Sequence, residues 1–151
     1  MRLFIDTNVL LDSLARRHPF DKGADALLML GFLGECELWI SASQLTDIFY
    51  LLTTGSTKVS PANAKDVLRS LLKAVSLSSL TSKEVEAALA SSWTDFEDAC
   101  LYQCARRIRA DAIVTRNKAD FSHSRIPTMN CDELLAWLKF EEGLAYDSIE
   151  W

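Results

Sequence analysis

The chain has 151 residues, 49% of them apolar and 25% charged, a balance that excludes a disordered or fibrous protein and fits one domain with a substantial core. Acidic residues number 21 against 16 Lys and Arg, giving a formal charge of −5, which argues against holding a polyanion by bulk attraction. No apolar run approaches the roughly 20 residues of a membrane span, and Asp6 and Asp12 interrupt the stretch where a secretory signal would lie. A cytoplasmic protein with no membrane association is expected.

Arg2 to Ile5 predicts a short apolar strand, after which Val9, Leu10, Leu11 and Leu14 start a helical period. A second helix, from about Asp21 to Leu33, should carry Ala24, Leu27, Leu28 and Phe32 on one face and stop at Gly34. Leu38 to Ile40 is the next strand. Ser41, with Gln44 three residues on, forms a capping-box signature that opens a helix carrying Leu45, Ile48, Phe49 and Leu52. Ser60 followed by Pro61 opens another helix, and Thr81 with Glu84, Thr94 with Glu97, and Asn130 with Glu133 mark three more.

Further strands are expected at Val75 to Leu77, at Ala112 to Thr115 and briefly at Thr128. Strands separated by helices of ten or more residues need crossover connections, so the sheet is mostly parallel and the fold an α/β sandwich. One folded unit, residues 1–139, is followed by an acidic tail over residues 140–151. Cys36, Cys100, Cys104 and Cys131 contain no Cys-x-x-Cys pair, and only His18 and His123 exist to complete a zinc set. The cysteines read as small core hydrophobes.

In parallel sheets, ligands bind beyond the carboxyl ends of the strands. Asp6 directly follows the first strand, and Asp47 lies one turn into the helix after the second. Asp95 and Asp98 sit at the start of the sixth helix, and Asp120 follows Ile113-Val114-Thr115, with Asn117 nearer the strand end. Singly, such acids are more often helix caps or solvated side chains. Gathered in one crevice they would raise each other's pKa, a conflict that a hard divalent ion resolves. Mg²⁺ or Mn²⁺, as one or two ions, suits oxygen ligands and retains waters, leaving room for a phosphate.

Three segments carry a resemblance. Ile5-Asp6-Thr7-Asn8-Val9-Leu10-Leu11-Asp12 resembles the opening motif of PIN domains, Asp98-Ala99 their central acidic motif, and Val114-Thr115-Arg116-Asn117-Lys118-Ala119-Asp120-Phe121 their closing motif. Asp95 to Ala99 together with Thr115-Arg116-Asn117 is most similar to the bacterial branch of VapC-like ribonucleases, the toxins of toxin–antitoxin pairs. The resemblance spans Met1 to about Leu138. It implies a three-layer α/β/α sandwich and a metal-dependent endoribonuclease whose products carry a 5′-phosphate and a 3′-hydroxyl.

Carried residue by residue, the first acid of the family is Asp6 and the third Asp98. Asp47 matches the second, commonly Glu in the family. The position directly after Thr-Arg is the neutral Asn117, with Asp120 three residues later. The resemblance thus implies Asp6, Asp47, Asp98 and Asp120 as catalytic metal ligands, oriented by Thr7, Asn8, Asp95, Thr115 and Asn117, with Arg116 and Lys118 contacting the RNA phosphates. It further implies an antitoxin protein as partner and a homodimer. Asn117 and the shortened Asp47 favour the alternative of a catalytically weakened or inactive PIN-fold binding module. A receiver-type phosphotransfer domain fits less well, because no adjacent acid pair follows the first strand.

Overall fold

The computed structural model describes residues 1–56 and 58–141. Five strands form one sheet in the order β3-β2-β1-β4-β5, with β1 at Arg2–Ile5, β2 at Glu37–Ser41, β3 at Val75–Ser78, β4 at Ala112–Val114 and β5 at Thr128–Met129. Every pairing is parallel, and the central strand sets Phe4 opposite both Trp39 and Ile113. Leu3, Phe4 and Ile5 are all fully buried. That is why β1 reads as a continuous apolar run: both of its faces are covered.

The helices are α1 (Thr7–Leu14), α2 (Asp21–Phe32), α3 (Ala42–Thr54), α4 (Pro61–Leu71), α5 (Ser82–Leu89), α6 (Phe96–Arg107) and α7 (Cys131–Glu141), with a 3-10 turn at Lys118–Phe121. One core joins Leu3, Ile5, Leu38, Ile40 and Val114 of the sheet to side chains of α1, α2, α3, α4 and α7. On the opposite face, Phe4 and Ile113 meet Leu101, Cys104 and Ala105 of α6 together with Phe121. The molecule is therefore the expected three-layer α/β/α sandwich. The expected tail runs from α7 into residues 142–151, which lie outside the described residues.

The capping signatures at Ser41 and Thr81 form complete boxes, Ser60 caps α4 through the Asn63 amide, and Asn130 and Glu133 bond each other's amides at the start of α7. The fourth box does not form. Asp95, not Thr94, is the N-cap of α6, and its carboxylate accepts the Asp98 amide at 3.0 Å. An Asp standing one residue past the Thr is as good a cap, and its use shifts the helix start and frees Glu97.

α2 also differs from expectation. It buries Ala24, Leu27 and Leu30, whereas Phe32 is 60% exposed. The reason is Gly31: a Cβ there would stand 2.4 Å from the Ala74 carbonyl oxygen and 2.5 Å from Leu38. The helix presses its glycine onto the sheet, and hydrophobic periodicity is blind to a residue without a side chain. Leu28, Met29 and Phe32 consequently line an apolar groove of about 590 Å³, whose other wall includes Val67 and Leu71 of α4. Gly34, at φ +76°, ends the helix as expected, with the Glu35 amide bonding back to Leu30.

Cys36, Cys100 and Cys104 are buried and Cys131 is half-buried, all four as thiols outside any disulfide. Among the described residues, no helix is long and apolar enough to cross a membrane.

Candidate functional site

The carboxyl ends of β1, β2 and β4 deliver the chemistry-bearing residues to one edge of the sheet. Asp6 is the N-cap residue of α1 and only 7% exposed. Its Oδ2 accepts the Thr115 hydroxyl at 2.7 Å and the Asn8 amide nitrogen at 2.6 Å. Burial pushes the Asp6 carboxyl up, while the Thr115 hydroxyl and then the neighbouring amides pull it back. The Thr115 oxygen also accepts the Asn117 amide at 3.0 Å. Its lone pairs accept the Asn117 and Asn8 N–H groups, and its single proton goes to Asp6.

Gln44 joins the second strand end to the first. Fully buried, it accepts the Ser41 amide and donates to the Ile5 carbonyl at 2.9 Å and to the Thr7 hydroxyl at 3.1 Å. Sequence reading identified its capping role and missed this reach across to β1. Asp47 stands three residues further along α3, on the side Gln44 occupies, and is exposed.

From α6, Asp98 is half-buried and its carboxyl is pushed up to about 7, by burial first and then by Asp95, Asp6, Asp120 and Glu97. Glu97 is raised as well, by burial and then by Asp47, Asp95 and Asp6. Asp98 and Glu97 thus feel the charges of Asp6, Asp47, Asp95 and Asp120, which stand near enough to repel them, and Glu97 joins the acids although the capping-box pattern had hidden it. Asp120 lies in the 3-10 turn and Asn117 caps that turn; both are exposed. A cleft of about 160 Å³ beside the acids includes Trp93, Asp95, Asp120 and His123 in its lining.

All the donors are oxygens, and the charge they concentrate is of the sort a hard divalent ion relieves. Their spacing is looser than that of a finished site: among the described residues, no group of three or more His, Cys, Asp or Glu stands close enough to hold an ion. The donor chemistry fits Mg²⁺ or Mn²⁺, and inward movement of at least one carboxylate would be needed to complete the ligand set.

The two cations expected at the phosphate both have protein partners. Arg116 Nε stands 2.8 Å from the buried Asp12 carboxylate, and its guanidinium lies 4.4 Å over the Phe20 ring. Lys118 pairs with Glu133 at 2.6 Å. Trp93 stacks on Tyr102 with ring centroids 4.8 Å apart.

Residues 2–119 match the family model described as a PIN domain. No curated protein matches the sequence. Among solved structures, the fold is similar to VapBC2 from Rickettsia felis bound to a promoter DNA fragment, with a TM-score of 0.64 at 15% identity over 86% of this chain and 98% of that one. DNA-bound VapBC from Salmonella typhimurium gives a TM-score of 0.64 at 15% identity, covering 87% and 98%. A toxin–antitoxin complex from Klebsiella pneumoniae gives 0.61 at 18%, covering 85% and 97%. At such identities the likeness speaks to the fold, and the family rests on the sequence match across most of the chain, which belongs to the PIN domain family.

Proposed function

We propose that the chain is a divalent-metal-dependent endoribonuclease with a weakened catalytic site, acting as the toxin of a toxin–antitoxin pair. The observation that carries the reading is Asp98, raised to about 7 by burial and by the acids that face it at the strand ends of a PIN-family fold. Asp6 and Asp98 would hold the ion directly, with Asp47 and Asp120 reaching in from the exposed rim. The chemistry that Mg²⁺ or Mn²⁺ supplies in such a place is acidification of a coordinated water and neutralisation of charge on phosphoryl oxygens.

The protein's own groups do the rest. Thr115 and Asn8 hold the Asp6 carboxylate in one orientation, and Asp95 fixes the first turn of α6 beneath Asp98. Asn117 and Lys118 are the phosphate contacts we favour. The Lys118–Glu133 pair is nearly half exposed, so it is worth less than about 1 kcal/mol and gives way readily to a phosphate. Arg116 is less available, because its partner is buried. An antitoxin partner is supported by the likeness to solved toxin–antitoxin complexes, and a second copy of the chain is proposed on the family resemblance alone.

A second reading, an inactive PIN-fold binding module, is favoured by the loose spacing of the acids among the described residues and by the neutral Asn117. Incubation of a structured RNA pool with Mn²⁺, with EDTA and with Asp98→Asn separates the two. Slow cleavage that EDTA abolishes and Asp98→Asn lowers at least a hundredfold is expected. Cleavage surviving both treatments would refute the site, and RNA binding without cleavage would establish the module instead.

A further inference from the structure

We propose that Asp12 and Arg116 are positioning residues: their buried ion pair fixes the segment from Thr115 to Asp120 against α1 and thereby sets the relative placement of Asp6, Asn117 and Asp120. The consequence for catalysis rests on the nuclease reading, whereas the ordering of the segment does not.

Two consecutive residues beyond β4 engage the opening motif, and the third bonds back to the first. The Thr115 hydroxyl donates to Asp6, the Arg116 amide donates to the Asn8 side chain at 3.4 Å, and the Asn117 amide returns to Thr115. Arg116 then reaches one turn further along α1 to Asp12, at 2.8 Å. Asn8 and Asp12 are four residues apart and so share one helix face. That face acts as a rail on which the closing segment is seated. Phe20, in the connection from α1 to α2, completes the seat from the far side, with the guanidinium 4.4 Å over its ring.

The choice of a charged pair is informative. Asp12 is 1% exposed, and burial pushes its carboxyl up against the opposing pull of Arg116 and Arg17. For stability alone, two apolar side chains of similar volume serve as well as a buried ion pair or better. Arg116 Nε and Asp12 Oδ1 are buried without a hydrogen-bond partner. The guanidinium is therefore seated by attraction to the one buried carboxylate and by its stack on the Phe20 ring, which together supply direction where an apolar contact does not. Direction matters here because the backbone on either side of Arg116 carries the Thr115 hydroxyl and the Asn117 amide.

The test compares the metal-free wild type with the apolar pair Asp12→Leu/Arg116→Met and with Arg116→Lys. Amide hydrogen exchange is read at Arg116, Asn117 and Asp120, alongside thermal melting, Mn²⁺ binding by calorimetry, and kcat and KM on RNA. The apolar pair should melt within a few degrees of wild type, yet exchange these amides at least tenfold faster. It should bind Mn²⁺ at least tenfold more weakly and lose at least tenfold in kcat with KM within threefold. Arg116→Lys, which keeps the charge and loses the planar stack on Phe20, should fall between the two; if the apolar pair fails to fold, this variant carries the same comparison.

Wild-type exchange in the variants overturns the inference, whatever their activity. Faster exchange with unchanged Mn²⁺ affinity also overturns it, because the ordering would then not reach the crevice. If the wild type neither binds Mn²⁺ nor cleaves RNA, the proposed function fails while the exchange comparison still decides whether the pair orders the segment.

Discussion

Asp98 carries a carboxyl raised from 3.8 to about 7, by burial first and by Asp95, Asp6, Asp120 and Glu97 after it. A folded state with the higher pKa binds the proton more tightly than the unfolded chain between those two values. The stability linked to this group is therefore fully present below pH 3.8 and lost as pH rises through about 7. Asp6 and Glu97 are shifted in the same direction. Asp98→Asn removes the charge without removing the shape. In EDTA, the variant should melt higher than wild type at pH 8, by about 1–2 kcal/mol after allowance for partial exposure, or a few degrees. At pH 4 the difference should shrink towards zero. Melting curves that differ equally at both pH values would show that repulsion in the crevice is not what Asp98 contributes.

At the scale of elements, α2 makes a prediction whose sign is unusual. A glycine in a helix interior normally costs up to about 1 kcal/mol relative to alanine, so replacing it should stabilise. At Gly31 the added carbon would stand 2.4 Å from the Ala74 carbonyl oxygen and within 2.7 Å of two Leu38 side-chain atoms. Leu38 can turn aside; a backbone carbonyl yields only if the helix moves. Gly31→Ala should therefore destabilise by about 1–3 kcal/mol, the range of an overpacked core, read as a lower urea midpoint. A raised midpoint would mean that α2 stands further from the sheet than described.

The same helix shows what the sequence could disclose. Strand β1, the caps at Ser41, Thr81 and Asn130 and the stop at Gly34 were legible because each depends on neighbours within a few residues. The inward stripe of α2 was not legible, since its closest approach to the sheet is made by a residue with no side chain to count. Glu97 was lost for a related reason. Two good caps, Thr94 and Asp95, stand side by side, and the choice between them decides whether Glu97 bonds an amide or faces the acids. Of the site, the residue types and their order along the chain were readable. The distances between the acids depend on how four separate segments pack, and local pattern does not contain them.

For the whole molecule, the formal charge of −5 and the proposed RNA substrate pull in opposite directions, and their reconciliation can be measured. Several of the 21 acids surround the crevice, so part of the negative balance belongs to the site itself. Of the two cations flanking Asn117, Arg116 is tied to a buried partner and Lys118 to an exposed one. Few phosphates are then neutralised by side chains, and each neutralised phosphate adds about 0.7 to the salt slope for a single strand. RNA binding by Asp98→Glu, which keeps the charge and lengthens the side chain, should show a slope of about 1–2 in Mn²⁺ and weaken at least tenfold when EDTA withdraws the Mn²⁺. A protein that gripped RNA by a broad basic face would behave otherwise, with a slope of about 4 or more and no response to EDTA. That pattern would detach RNA binding from the crevice and leave its acids without a substrate.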